Sequence, residues 1–143
     1  MSEKLDIVGI GNAMVDAIIP SNKEEVEKNN LNRDSMNLID EDLKNSLHQN
    51  YTIKEMAGGG SLGNSMFGIT SFGGNGSFIG KIKNDEVGIF LQKDMVREGL
   101  QFPLGFTSPD ISTGCCTIFV EEDGTRTMCT FLGAGTLIGP EDI

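Results

Sequence analysis

The sequence predicts an α/β fold built from parallel βαβ units, with a small β-sheet attached to it. Strand-like and helix-like segments alternate between residues 5 and 99, which favours parallel strands joined by helices. The pair Asp123-Gly124 separates two extended runs and indicates a β-hairpin. Glycine supplies 19 of the 143 residues and clusters where the chain turns or approaches another group closely. A chain of this length predicts one domain.

The first third of the chain predicts two strands followed by a polar stretch. Residues 5–10 and 15–19 are short apolar runs rich in β-branched side chains, typical of buried strands. Ser21 with Glu24 has the spacing of a capping box and predicts a short helix that ends near residue 29. Asp40 can cap a second helix over residues 41–48.

The middle of the chain continues the alternation. Residues 51–56 predict a strand, and the glycines that follow lead into a helix over residues 61–72 with apolar side chains at helical spacing. Residues 76–80 predict another strand. Asn84 or Asp85 caps the next helix, which ends at Gly99.

The last third predicts the hairpin, with strands over residues 114–121 and 125–131. The Asp-Gly pair favours a two-residue type I′ turn, in which both central residues have positive φ. Side chains alternate between the faces of the first strand. One face carries Cys116, Ile118 and Val120, and the other carries Cys115, Thr117 and Phe119.

Charge and composition exclude several classes of function. The chain carries 21 acidic and 11 basic residues, a formal charge of −10, so it lacks the basic surface that nucleic-acid binding requires. The apolar runs are too short to span a membrane, and no signal-peptide pattern follows Met1. We therefore expect a soluble, cytoplasmic protein with no membrane partner. Three cysteines and one histidine lack metal-ligand spacing, which predicts reduced thiols and no metal site.

Two glycine-rich segments superficially match nucleotide-binding motifs. GGGSLG at 58–63 fits the dinucleotide pattern, but residues 54–56 are a poor buried strand and Asp85 lies too far along to contact a ribose. The run NGSFIGKI has Asn75 and Ile82 where a phosphate-binding loop needs Gly and Ser or Thr. Neither segment predicts a nucleotide site.

Two other clusters predict recognition of a polyol. Asn12 and Asp16 lie four residues apart and flank the end of a strand, and Asn64 follows the pair Gly59-Gly60 at a helix start. A carboxylate and an amide accept and donate hydrogen bonds to vicinal hydroxyls, while glycine lets the backbone approach the same sugar. The alternative is that Asn12 and Asp16 form a turn and Asn64 is a helix-surface residue.

Four segments, in order along the chain, resemble the PfkB-type (ribokinase-like) carbohydrate and nucleoside kinases. They are GIGNAMVD at 9–16, GGGSLGNSM at 58–66, FIGKIKNDEVG at 78–88 and TGCCTIFVEEDGTRTMCTFLGAG at 113–135. Within the family the chain is most similar to the adenosine-kinase-like branch. The resemblance implies a ribokinase-like fold whose second half lies outside this chain, with residues 1–143 as its N-terminal portion. The core is expected at 5–16 and 57–112, and a β-sheet lid at 17–56 and 113–132.

The resemblance also implies the activity, which is transfer of phosphate from ATP, with Mg²⁺, to a hydroxyl of a sugar or nucleoside. Asn12 and Asp16 match the residues that hold the sugar hydroxyls, and Gly59 and Gly60 with Asn64 match the loop that closes on the sugar. Arg126 is expected on the phosphate side. The candidates for the apolar wall are Met14, Cys116, Phe119 and Met128, with ordinary packing as the alternative for Phe119 and Met128.

No catalytic residue is assigned in this chain, because the resemblance places the catalytic base in the second half of the family fold. Residues 133–136 (GAGT) resemble the family's GAGD motif, but Thr136 stands where the Asp would be. We therefore expect residues 1–143 alone to be inactive. Three other readings stay open: a ribokinase- or fructokinase-type sugar kinase, a non-catalytic sugar- or nucleoside-binding module, and an assembly protein that forms a homodimer through the lid.

Overall fold

A computed structural model describes residues 4–143, so residues 1–3 of the predicted domain lie outside the described part. The described residues form nine strands, four α-helices and two 3-10 turns, the latter at residues 133–137 and 140–142. In chain order the elements are β1 (Ile7–Ile10), β2 (Met14–Pro20), α1 (Lys23–Lys28), β3 (Met36–Leu38), α2 (Glu41–Asn50), β4 (Glu55–Gly59), α3 (Ser61–Ser71), β5 (Gly76–Ile79), β6 (Ile82–Lys83), α4 (Glu86–Arg97), β7 (Phe106–Ser108), β8 (Gly114–Val120) and β9 (Arg126–Phe131).

The strands form one five-stranded sheet and two parallel pairs. The large sheet has the order β3-β9-β8-β2-β4, in which β2 is parallel to β8 and antiparallel to β4. β1 pairs with β5, and β6 pairs with β7. The predicted α/β fold with parallel strands is confirmed. The predicted boundary between core and lid, after residue 16, falls inside the continuous strand β2.

The two faces of the five-stranded sheet have different surroundings. One face is covered by α1 and α2 and forms an apolar core that includes Ile19, Val26, Leu47 and Phe119. We call the opposite side the open face. Residues paired across neighbouring strands share a face, so Asp16, Cys116 and Thr130, which are successive partners, all lie on it. The site described below is built on this face.

A second apolar core lies beneath α3 and α4. Its fully buried members include Val15, Met66, Phe78 and Leu91, contributed by β2, α3, β5 and α4. This core packs α3 and α4 against β2, the strand that carries Asp16. None of the helices within residues 4–143 is long and apolar enough to cross a bilayer.

Three local predictions need correction. The hairpin is where we expected it, but the Glu121 amide donates to the Thr125 carbonyl and only Gly124 has positive φ, so the loop has three residues rather than a type I′ pair. The first helix is capped by Asn22 with Glu25, one residue later than predicted. β1 is not buried, because it has a single partner strand and its apolar side chains are 39–48% exposed.

Asp85 joins α4 to the start of β8. Its Oδ1 accepts hydrogen bonds from the Gly88 amide and the Thr113 hydroxyl, both at 2.8 Å. Its Oδ2 accepts from the backbone amide of Thr113 at 2.9 Å. Thr113 is fully buried and directly precedes β8. Asp85 therefore caps the helix and fixes the base of the hairpin at the same time.

Replacing Asp85 with alanine is expected to destabilise the fold by about 2–4 kcal/mol, since a helix cap and two hydrogen bonds to a buried residue are lost. Asp40 provides a matched control, because it caps α2 through the Leu43 amide and its side chain binds no second element among residues 4–143. Asp40→Ala should cost only about 1 kcal/mol. Chemical denaturation of both variants measures the difference, and equal losses would show that the link to Thr113 contributes nothing.

Candidate functional site

The Asp16 carboxylate is the central polar group of the open face. It lies in the middle of β2, is half-buried, and accepts no hydrogen bond from any described residue. Burial raises the pKa of this carboxyl above its ordinary value, because nothing nearby compensates for the lost hydration. By contrast, the buried carboxylate of Glu121 is paired with Arg33 at 2.7 Å. Asp16 is therefore placed to accept hydrogen bonds from a ligand.

Gly59 and Gly60 shape the backbone beside this carboxylate. A side chain on Gly59 would occupy the space of the Asp16 carboxylate itself. Gly60 has φ +79°, a conformation that residues with side chains rarely adopt. A Cβ on Gly60 would lie 3.1 Å from the Met14 side chain and 3.6 Å from the Asn12 carbonyl. The structure thus brings Asn12, Met14 and Asp16 together with both glycines.

Asn12 is held from the other side by the 3-10 turn at residues 133–137. A Cβ on Gly135 would lie 2.9 Å from the Asn12 side-chain oxygen and 3.0 Å from its Cα, so only glycine permits this approach. Gly133 has φ +58° and turns the chain into this position. The GAGT segment therefore borders the cluster as a packing element. No local sequence pattern predicts this contact, because 123 positions separate the two residues.

Asn64 lies in the first turn of α3, where its backbone N–H donates a hydrogen bond to the Gly60 carbonyl at 3.0 Å. Its side chain is exposed. The start of α3 approaches the Asn12 segment, since a Cβ on Gly11 would meet Leu62 at 2.8 Å. Asn64 therefore lies one helical turn from Gly60, with its side chain exposed.

An apolar strip lies on the open face, two to three strands away from Asp16. Cys116 pairs with Asp16 across the sheet, and the Thr130 hydroxyl donates to the Cys116 sulphur at 3.4 Å. β9, the strand beside β8, contributes Met128, which is 36% exposed. β3, the strand beside β9, contributes Met36 and Leu38, which are 53% and 66% exposed. We call Met36, Leu38 and Met128 the apolar strip. Its β3 members were missed because a three-residue edge strand leaves no periodic signal in the sequence.

Two predicted site residues lie elsewhere. Phe119 is fully buried on the helix-covered face, where its ring packs edge-on against Tyr51 at 5.1 Å, so it cannot line a pocket on the open face. Arg126 pairs with Val120 at the hairpin tip and is exposed. Four residues separate Val120 from Cys116, or about 13 Å along the strand. The structure therefore does not bring Arg126 to the cluster.

Asp16→Asn is expected to raise the stability of the protein at neutral pH by about 1–3 °C in Tm. The pKa of Asp16 is higher in the folded than in the unfolded chain. At a pH between these two pKa values the folded state binds more protons, so the stability of the protein falls as the pH rises from the unfolded-state pKa to the folded-state pKa. The amide has no charge to desolvate. Thermal denaturation at pH 7 and pH 3 should show a gain only at pH 7, and an Asn variant less stable at pH 7 would contradict this account.

The comparisons with known proteins identify the family and the fold. The profile of the pfkB family carbohydrate kinases matches residues 4–142. Adenosine kinase from Sinorhizobium meliloti superimposes with a TM-score of 0.88 at 36% identity, over 98% of this chain and 43% of that one. A probable sugar kinase from Rhizobium etli CFN 42 gives 0.86 and 33%, over 97% and 42%. Adenosine kinase from Anopheles gambiae gives 0.83 and 24%, over 95% and 42%, and supports the fold alone.

A search of curated proteins found no match. The chain spans less than half the length of these solved structures. Because the family profile covers nearly all of the sequence, the chain belongs to the pfkB family of carbohydrate kinases.

Proposed function

We propose that this chain supplies the acceptor-binding part of an ATP-dependent kinase that phosphorylates a hydroxyl of a nucleoside. The observation that carries the proposal is the half-buried carboxylate of Asp16, which accepts no hydrogen bond within residues 4–143 and lies beside glycines that leave it room. Perturbed carboxyl groups with an open side are typical of functional sites. Asn12, Asn64 and the amides near Gly60 are the groups that would complete the hydrogen bonding.

A pair of sugar hydroxyls fits Asp16 better than an amine or a cation. The described residues contain no group of three or more His, Cys, Asp or Glu side chains that could hold a metal ion. Asp16 is a single charge among backbone and amide groups, and two neighbouring hydroxyls can donate to its two oxygens. Such charge-assisted hydrogen bonds are worth about 1.5–3 kcal/mol each. In binding, the diol would replace the water that burial removes.

The apolar strip favours a nucleoside over a free sugar. Met36, Leu38 and Met128 present exposed apolar surface on the same face as the carboxylate, two to three strands away, and a free sugar has no flat apolar part to cover it. A nucleobase joined to the ribose would bury this surface, with a gain of about 25 cal/mol per Å². Adenosine kinases from Schistosoma mansoni have been solved with adenosine, a ligand of this chemistry.

The identity of the phosphate donor is proposed from family membership alone. ATP as donor follows from family membership, but the described residues form no cluster that fits Mg²⁺, and we assign them no role in holding it. We place the protein in the cytoplasm, where ATP is available and three unpaired cysteines stay reduced. The role of this chain is to bind and orient the acceptor hydroxyl for in-line transfer.

Self-association through the lid is a second candidate role. Met36 and Leu38 lie on β3, the edge strand of the five-stranded sheet, and both are exposed. A dimer formed there would cover the same strip as a nucleobase, so ligand and partner would compete. Measurement of the mass in solution with and without adenosine tests this, because a dimer that persists unchanged in saturating adenosine would show that the strip does not bind the base.

The nucleoside proposal is tested by titrating the protein with adenosine, ribose and fructose. Adenosine should bind most tightly. Leu38→Ser should weaken adenosine binding by about three- to tenfold and leave ribose binding unchanged, since only apolar burial is lost. Val96→Ser is the matched control, because Val96 is 61% exposed on α4, away from the open face. Ribose binding as tight as adenosine binding would indicate a sugar kinase or a sugar-binding module instead.

A further inference from the structure

Asp94 is a buried carboxylate that neither the sequence motifs nor the proposed acceptor contacts use. It lies in α4, its side chain is 6% exposed, and its Oδ2 accepts a hydrogen bond from the Gly58 amide at 2.8 Å. Its Oδ1 pairs with the guanidinium of Arg97, whose side chain is 69% exposed. Arg97 thus balances the charge of the Asp94 carboxylate from the solvent side, while Oδ2 is hydrogen-bonded to the backbone of β4.

Gly58 is the residue of β4 that side chains of both α3 and α4 contact closely. A Cβ there would lie 2.8 Å from the Asp94 Oδ2 and 2.8 Å from the ring of Phe67, which belongs to α3. β4 is an edge strand of the sheet, so its outward amide needs a partner outside the sheet. Asp94 supplies that partner at the last residue before the Gly59-Gly60 pair.

We propose that Asp94 is a positioning residue for acceptor binding, which it serves by fixing Gly58 and hence the glycine pair beside Asp16. The inference rests on the proposed function. The chain of contacts is short: Asp94 holds Gly58, Gly59 leaves the space that the Asp16 carboxylate fills, and Gly60 turns into α3. Release of Gly58 would let the pair shift and would disturb both the carboxylate and the acceptor.

The first test measures adenosine binding by calorimetry. Asp94→Ala should weaken binding about tenfold, because a buried amide loses its acceptor and the glycine pair relaxes. Arg97→Met removes the solvent-side ion pair but keeps the Gly58 hydrogen bond, and should bind adenosine like the wild type. In the double variant Asp94→Asn with Arg97→Met, the amide oxygen has no competing cation and can accept from Gly58, so binding should stay within about threefold of the wild type.

The second test needs no ligand and therefore separates this inference from the proposed function. The carboxyl carbon of Asp16 is titrated by NMR in each folded variant. Asp94→Ala should lower the Asp16 pKa toward its ordinary value, since a relaxed glycine pair admits water, and the double variant should leave the pKa as in the wild type. If Asp94→Ala does not fold, Asp94→Glu replaces it, because the longer side chain keeps the charge but misplaces the oxygen.

The inference fails if the variant that breaks the Gly58 contact keeps both the adenosine affinity and the Asp16 titration of the wild type. It also fails if Arg97→Met weakens binding as much as Asp94→Ala, since the ion pair rather than the Gly58 contact would then be responsible. Absence of adenosine binding in the wild type, combined with the expected Asp16 shift, would reject the proposed nucleoside function and keep Asp94 as the residue that positions the loop.

Discussion

Replacing Gly59 with alanine is expected to weaken acceptor binding by about a hundredfold or more. The new methyl group would occupy the space of the Asp16 carboxylate, so the carboxylate must leave its position on the open face. Displacement removes two charge-assisted hydrogen bonds to the acceptor, each worth about 1.5–3 kcal/mol. The backbone conformation at Gly59 is ordinary, which confines the effect to this contact. Calorimetric titration with adenosine measures the loss.

Gly68→Ala is the matched control for this substitution. Gly68 lies within α3, and a Cβ there meets nothing within 4 Å. Alanine at this position should leave acceptor binding unchanged and stabilise the protein by about 0.4–1 kcal/mol. If Gly59→Ala binds adenosine as tightly as Gly68→Ala, then the carboxylate is not held where the acceptor binds, and the site is misplaced.

Residues 1–143 alone are expected to bind the acceptor without phosphorylating it. The acceptor groups lie on the open face, whereas no described residue is assigned as the catalytic base or as a ligand of the transferred phosphate. Loss of a general base slows such reactions about 10²- to 10⁴-fold, and loss of the groups that stabilise the transferring charge slows them further.

A folded sample of residues 1–143 is assayed with ATP, Mg²⁺ and adenosine, ribose or fructose. The expected result is no measurable product, with adenosine binding retained in a parallel titration. Turnover near the typical kinase range of about 1–100 s⁻¹ would contradict this expectation. It would mean that the GAGT turn or Arg126 performs chemistry that we have not assigned to it.

Local sequence signals predicted those parts of the fold that depend on neighbouring residues. The helix beginning after Asp85 and the hairpin around Gly124 follow from a cap and a turn residue, and both are present. The turn type was wrong, because an Asp-Gly pair is compatible with a three-residue loop as well as with a type I′ turn, and only the pairing of Glu121 with Thr125 distinguishes them. Strand alternation places Phe119 on the face opposite to Cys116, and its complete burial there supports ordinary packing, the alternative to a place in the apolar wall.

Contacts between distant segments could not be predicted from one sequence. The approach of Gly135 to Asn12 and the hydrogen bond from Gly58 to Asp94 join residues more than 30 positions apart. Nothing in the local pattern of α4 marks Asp94, which reads as one more polar residue on a helix. The exposure of β1 depends on which strands pair with it, and its apolar composition alone indicated burial.

The most direct test of the central claim compares adenosine with 2′,3′-dideoxyadenosine in the wild type and in Asp16→Ala. If Asp16 holds the ribose hydroxyls, removing either the hydroxyls or the carboxylate removes the same two hydrogen bonds and should weaken binding by about a hundredfold or more. Removing both should cost little more than removing one, because the same interaction is lost. Losses that multiply in the combination would show that Asp16 and the hydroxyls act independently, and would contradict the account of this site.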